Sequence, residues 1–208
     1  EWDLASTARK LIDRAPGSLL LVPATAATKE SVRYRRILVP LDGSPRAESV
    51  VPLALEIARS EQAELLLVHV VPAAQITRTG PLDSEGRELE RRIVEYNQRA
   101  GNSYLDRVRA RSDGGDARVR ALVVSDGSVR TRLERLVRDE RVDLVVMSAH
   151  GLTGRLDLPS GSVAEHALTH ATTPVLMVRS GMRRPLRRVA PSSAESFDRL
   201  APRASGIS

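Results

Sequence analysis

Two stretches of this chain carry residue types that could handle an anion. One is Asp42-Gly43-Ser44-Pro45, which follows the apolar run Ile37-Leu38-Val39-Pro40-Leu41. The other runs from Ser148 to Ser162 and holds Gly151, Gly154 and Gly161, with Ser162 placed to open a helix. Glycines let a backbone approach a ligand closely, and a helix N-terminus offers unpaired N–H groups and a favourable dipole to a phosphate. A carboxylate such as Asp42 suits sugar hydroxyls better than a phosphate. Together the two stretches could cradle a nucleoside phosphate. Each also has a plainer reading: Ser162 with Glu165 forms a capping box, and Asp42-Gly43-Ser44 is an ordinary turn.

Other chemistries are poorly provided for. The chain has no cysteine, which removes disulfides, zinc–thiolate sites, iron–sulfur ligation and thiol nucleophiles. Its lysines are Lys10 and Lys29, so residues 37–180 can hold neither a Walker A loop nor a lysine Schiff base. Ser148-Ala149-His150-Gly151 is not a nucleophile elbow, because Val146 stands where the leading glycine belongs. No acid–base pair is identifiable by spacing, and we expect no catalytic residue. His166 and His170 stand four apart on an expected helix but fall opposite Ala164, Leu168 and Ala171, which reads as solvated surface and not as a metal site. His69 lies in an apolar run and reads as a satisfied core histidine. His150, beside Gly151, could reach a phosphate.

The elements that must position these residues follow from periodicity. Residues 36–41, 65–71, 118–124, 144–147 and 175–178 read as strands, four of them followed by helical stripes. Ser44 caps the first helix with Pro45 at its first position, and Val50, Ala54, Ile57 and Ala58 mark its buried face. Leu89, Ile93, Tyr96, Ala100, Tyr104 and Val108 mark the second, with Gly101 a weak point. Asp126-Gly127-Ser128 is the turn and cap of a third, striped by Val129, Leu133, Leu136 and Val137; a fourth spans 163–171. Strands that read as continuous apolar runs between helices predict an open, doubly wound α/β domain. Its five-stranded parallel sheet would have helices on both faces, in a flavodoxin- or Rossmann-like layout. No G-x-G-x-x-G follows the first strand, so the Rossmann fingerprint itself is absent.

Composition narrows the partners. With 208 residues, 41% apolar and 28% charged, the chain lies in the globular range. The net charge is +6, yet residues 37–180 hold 19 basic and 20 acidic side chains, so the excess lies in the flanks. With only five aromatics (Trp2, Tyr34, Tyr96, Tyr104 and Phe197), nucleic-acid binding is not expected. No apolar run approaches 18 residues and Glu1-Trp2-Asp3 does not start a signal peptide, so a soluble cytoplasmic protein without membrane contact is expected.

The ends differ from the middle. Residues 181–208 lack periodicity and read as a disordered basic tail. Ser6 to Pro23 aligns without gaps on Ser162 to Arg179, with identities at Ser6, Ala8, Ala15, Leu20 and Val22. This suggests that residues 1–33 hold the last helix and strand of a preceding, truncated copy plus a linker, ahead of the domain at 34–180.

The runs Ile37–Ser44, Leu66–Val70, Asp143–Gly151, Gly161–Glu165 and Pro174–Val178 together resemble the universal stress protein family over about residues 34–180. Its nucleotide motif, G-x2-G-x9-G-[S/T], is met by Gly151, Gly161 and Ser162, with Ser148 where the motif starts on glycine. The resemblance implies bound ATP, with or without Mg2+. Asp42 would serve the adenosine end, the Val70 backbone the adenine, and Gly151, Gly161 and Ser162 the phosphates, with Pro40, Ser148, His150, Gly154 and Val163 beside them. It also implies pairing of two domains through their last strands, as a homodimer or within one chain, where Leu19 to Val22 would cover Val175 to Val178. The alternative is a scaffold of the same fold with no nucleotide. A pyrophosphatase-type enzyme is disfavoured, since no S-G-G-x-D-S-type loop follows the first strand.

Overall fold

The computed structural model describes residues 17–23, 33–71, 81, 83–112, 116–125, 128–149, 163, 166–167 and 172–179. Its strands are β1 (Leu19–Leu21), β2 (Arg36–Pro40), β3 (Glu64–Val71), β4 (Arg118–Ser125), β5 (Leu144–Ser148) and β6 (Val175–Val178). Between them lie α1 (Pro45–Glu48), α2 (Val51–Glu61), α3 (Ser84–Ser112) and α4 (Val129–Asp139), and Val163, His166 and Ala167 are helical as well. The strand order is β1-β6-β5-β2-β3-β4, with β2 to β6 parallel and β1 antiparallel to β6. The expected five parallel strands are present, and a sixth makes the sheet mixed.

Both faces of the sheet are covered. Ile37, Val39, Leu65, Leu67, Leu144 and Val146 pack with Ala54 and Ala58 of α2 and Leu105 and Val108 of α3. The alternate residues, Leu38, Leu66, Val68, Val145, Met147, Val175 and Met177, pack under Leu136 of α4, with Val163 and Ala167 beside them. A strand buried on both sides has no polar side to alternate with, which is why these strands read as unbroken apolar runs. From β2 the chain builds outward through β3 and β4 with α2 and α3 on one face. It then returns to the other side of β2 for β5 and β6, now with helices on the opposite face, as right-handed crossovers require.

Three expectations change. The first helix is two: α1 stops at Glu48 and α2 starts at Val51, with Pro52 in its first turn. Ser128 stands at the N-cap of α4 but makes no side-chain cap hydrogen bond. The apolar stripe of α3 is buried only at its C-terminal end, through Gly101, Leu105, Val108 and Ser112, while Leu89 is 50% and Tyr96 66% exposed. Twenty-nine helical residues span roughly 43 Å and the eight-residue strands roughly 26 Å, so the helix start overhangs the sheet. Residues 1–16, most of the expected linker and the tail from 180 lie outside the described residues.

At the amino ends of the strands four charged side chains tie the layers together. Arg36 Nε donates to Glu64 Oε2 at 2.6 Å, Arg120 Nε stands 3.5 Å from Glu64 Oε1, and Glu140 at the end of α4 accepts from both arginines. These groups are partly solvated, so the network contributes modestly. Replacing Glu140 with alanine should lower the unfolding free energy by about 1 kcal/mol, and the deficit should shrink at high salt in urea titrations.

Candidate functional site

Strand order reverses between β2 and β5, and in an open α/β sheet the crevice beyond the carboxyl ends at that point is where ligands bind. The registers set where the candidate residues stand. Pro40 pairs with Val68 of β3, so two residues on Asp42 stands level with Val70. Leu38 pairs with Val145 of β5, so three residues on Leu41 stands level with Ser148. Asp42, Val70 and Ser148 thus lie at the carboxyl ends of three neighbouring strands, Ser148 one residue short of the other two.

The turn carrying Asp42 is closely held. The Leu41 amide donates to Val68 O at 2.7 Å, extending the β2–β3 ladder by one residue. Gly43 then takes φ +86°, a left-handed conformation that favours glycine. Asp42 Oδ1 accepts the Ser44 amide at 3.0 Å, and Ser44, which is buried, caps α1 by accepting the Ala47 amide at 3.1 Å. The Asp42 side chain is exposed at the crevice, whereas Ser148 is buried at the end of β5. Behind the turn stand His69 and Tyr104. His69 Nδ1 lies 2.8 Å from the Leu41 carbonyl, and the two rings meet edge to face at 5.6 Å. His69 is the satisfied histidine the sequence suggests.

On the α4 face a cavity of about 270 Å³ opens beside the crevice. Its walls are mainly apolar, including Leu133, Val137, Val145 and Met147, and Pro40 and Val163 line it too. His166 also lines it and is not solvated surface: its side chain is 23% exposed, and Nε2 lies 2.7 Å from Glu134 Oε1 of α4. This acid–base pair escaped the sequence reading because its members stand 32 positions apart; only the packing of two helices on one face brings them together. Of the candidate residues, Pro40, Asp42, Val70 and Ser148 gather at the carboxyl ends and Val163 at the cavity wall. His150, Gly151, Gly154, Gly161 and Ser162 lie outside the described residues.

The Tyr104 hydroxyl is raised well above the ordinary phenol range, first by burial and then by the Glu48 carboxylate, with Asp42 adding to it. A raised folded value means that the neutral phenol is favoured in the native state. Its contribution is therefore complete below pH 10.0, the unfolded value, and is lost as pH climbs from there toward the folded value. Urea titrations across that alkaline window should show stability falling with pH. Tyr104→Phe should flatten part of the slope, and an unchanged slope would remove Tyr104 from its cause.

Residues 33–179 match the universal stress protein family. Universal stress protein MJ0577 of Methanocaldococcus jannaschii is 23% identical over 158 residues, 72% of this chain and 97% of that protein. Universal stress protein Rv2005c of Mycobacterium tuberculosis is 26% identical over 176 residues, 85% of this chain but 56% of the relative. Among solved structures, that of MJ0577 superposes with a TM-score of 0.64 at 23% identity, covering 73% of this chain and 99% of the other. Universal stress protein UspA from Lactobacillus plantarum superposes with a TM-score of 0.56 at 25% identity, over 72% and 100%.

Proposed function

The chain belongs to the universal stress protein family, and from that premise we propose that it binds an adenine nucleotide, ATP first, as part of a cytoplasmic stress response. The supporting observation is that Asp42, Val70 and Ser148 end three neighbouring strands at the reversal of strand order, and that the sequence after Ser148 carries the spacing Gly151-x9-Gly161-Ser162. Asp42 would take the ribose hydroxyls and the Val70 backbone the adenine edge. The amides around Gly151, Gly161 and Ser162 would take the phosphates at a helix start. Mg2+, where present, would arrive on the phosphates. We assign no catalytic residue. No described helix is long and apolar enough to cross a membrane.

Calorimetric titration tests this directly. Saturable binding of Mg-ATP, weaker binding of AMP, and loss of both in Gly161→Val with an unchanged far-UV spectrum are the expected results. No heat at millimolar ATP would leave the fold as a scaffold without nucleotide.

A specific observation supports the scaffold's mode of contact whichever way that titration falls. Leu19, Leu20 and Leu21 pair with Met177, Leu176 and Val175. In the repeat alignment Leu20 is the equivalent of Leu176, and Leu19 and Leu21 of Val175 and Met177. Leu20 therefore pairs with its own counterpart, while Leu19 and Leu21 each pair with the counterpart of the other, the self-complementary pattern of a two-fold interface. We read β1 as the last strand of a second copy of the domain, held against β6 as an intrachain pseudo-dimer. Deleting residues 1–23 should expose the β6 edge and yield a dimer in light scattering; a strictly monomeric deletion variant would count against it.

A further inference from the structure

The β2–β3 ladder ends at the Leu41 amide, and the carbonyl of that residue is met by a side chain instead of a strand. His69 Nδ1 lies 2.8 Å from it. A carbonyl only accepts, so Nδ1 carries the proton and donates to it. The ring cannot swing away. Tyr104 of α3 meets it at 5.6 Å and 69°. Gly101, one turn earlier, comes so close that a Cβ there would stand 2.9 Å from His69 Cδ2 and 3.2 Å from Val123 Cγ1. The peptide carbonyl so held is the one that leads into Asp42. The Tyr104 hydroxyl, itself buried, feels the Glu48 and Asp42 carboxylates and the Gly43 amide, which places it under the same turn.

We infer that His69, wedged between Gly101 and Tyr104, is a positioning residue that aims the Asp42 carboxylate at a ribose, making the site selective for ribonucleotides over 2′-deoxyribonucleotides. The inference rests on the nucleotide reading above. Without the Nδ1 donor the Leu41 carbonyl loses its partner, and the turn is held to strand β3 only through the Leu41 amide. Asp42 then keeps its charge and its bond to the Ser44 amide, but on a peptide free to rock, so its aim is less fixed. A hydrogen bond to a charged group is worth roughly tenfold or more in affinity, and that factor is what misdirection forfeits.

The test uses the full chain with two readouts: backbone amide relaxation of Gly43 and Ser44 without nucleotide, and affinities for ATP and 2′-deoxy-ATP. The wild type should prefer ATP about tenfold, and Asp42→Asn should remove that preference. His69→Leu should loosen both amides and bring the ratio near one, with 2′-deoxy-ATP affinity nearly unchanged. His69→Asn, whose amide nitrogen can stand where Nδ1 stands, should restore both. Gly101→Ala displaces the ring from the helix side and should reproduce His69→Leu, even if the latter folds poorly. Amides as ordered in His69→Leu and Gly101→Ala as in the wild type would overturn the positioning role. A ratio that Asp42→Asn abolishes and His69→Leu leaves intact would overturn it equally. A wild type that binds neither nucleotide would end the ribose selectivity together with the functional reading, and the amide relaxation alone would then decide whether His69 holds the turn.

Discussion

β2 and β5 meet over two registered pairs, Ile37 with Leu144 and Leu38 with Val145, and Asp143 closes the seam below them. Its Oδ2 accepts the amides of Arg35 and Arg36 at 2.8 and 3.0 Å, while its own amide donates to the Arg36 carbonyl at 2.9 Å. Everything that gives the molecule a site depends on this short seam. It joins the half of the sheet built outward through β3 and β4 to the half built through β6. Helices cover opposite faces of the two halves, so none is placed across the carboxyl ends at the seam itself. The crevice is a consequence of topology, and Asp42 and Ser148 border it because their strands end there.

The two edges of the sheet are handled differently. β4 carries exposed Arg118 and Arg120, charges that discourage a further strand. β6 is apolar and is covered by β1, whose Leu19 and Leu21 join the core on the α4 face while Leu20 remains 51% exposed. A three-residue strand hides the apolar edge without burying all of its own side chains.

Much of this was legible in the sequence, and the failures have identifiable causes. Continuous apolar runs located the five parallel strands within a residue or so, because burial on both faces leaves no ambiguity of period. The Ser44 cap and Pro45 were legible because capping is local chemistry. The α3 stripe misled because periodicity reports a face and not whether the sheet extends far enough to cover it. Gly101, a weak point by propensity, is where α3 approaches His69 too closely for a Cβ. His166 read as surface because Glu134 lies on another helix.

By itself the sequence determined the α/β class, the strands, the absence of thiols from the chain and of lysine from residues 37–180, and the two stretches able to form a site. These rest on composition, on short-range periodicity and on capping, all of which act within a few residues of chain. Tertiary structure alone decided which strands became neighbours, that Asp42, Val70 and Ser148 end neighbouring strands, that His69 holds the Leu41 carbonyl, and that Glu134 reaches His166. Those outcomes depend on register and on helix-to-sheet packing between residues far apart in the chain, 28 positions for His69 and Leu41, 32 for Glu134 and His166 and 107 for Arg36 and Asp143. Such contacts form only when both partners are already placed, so no local pattern in the chain records them.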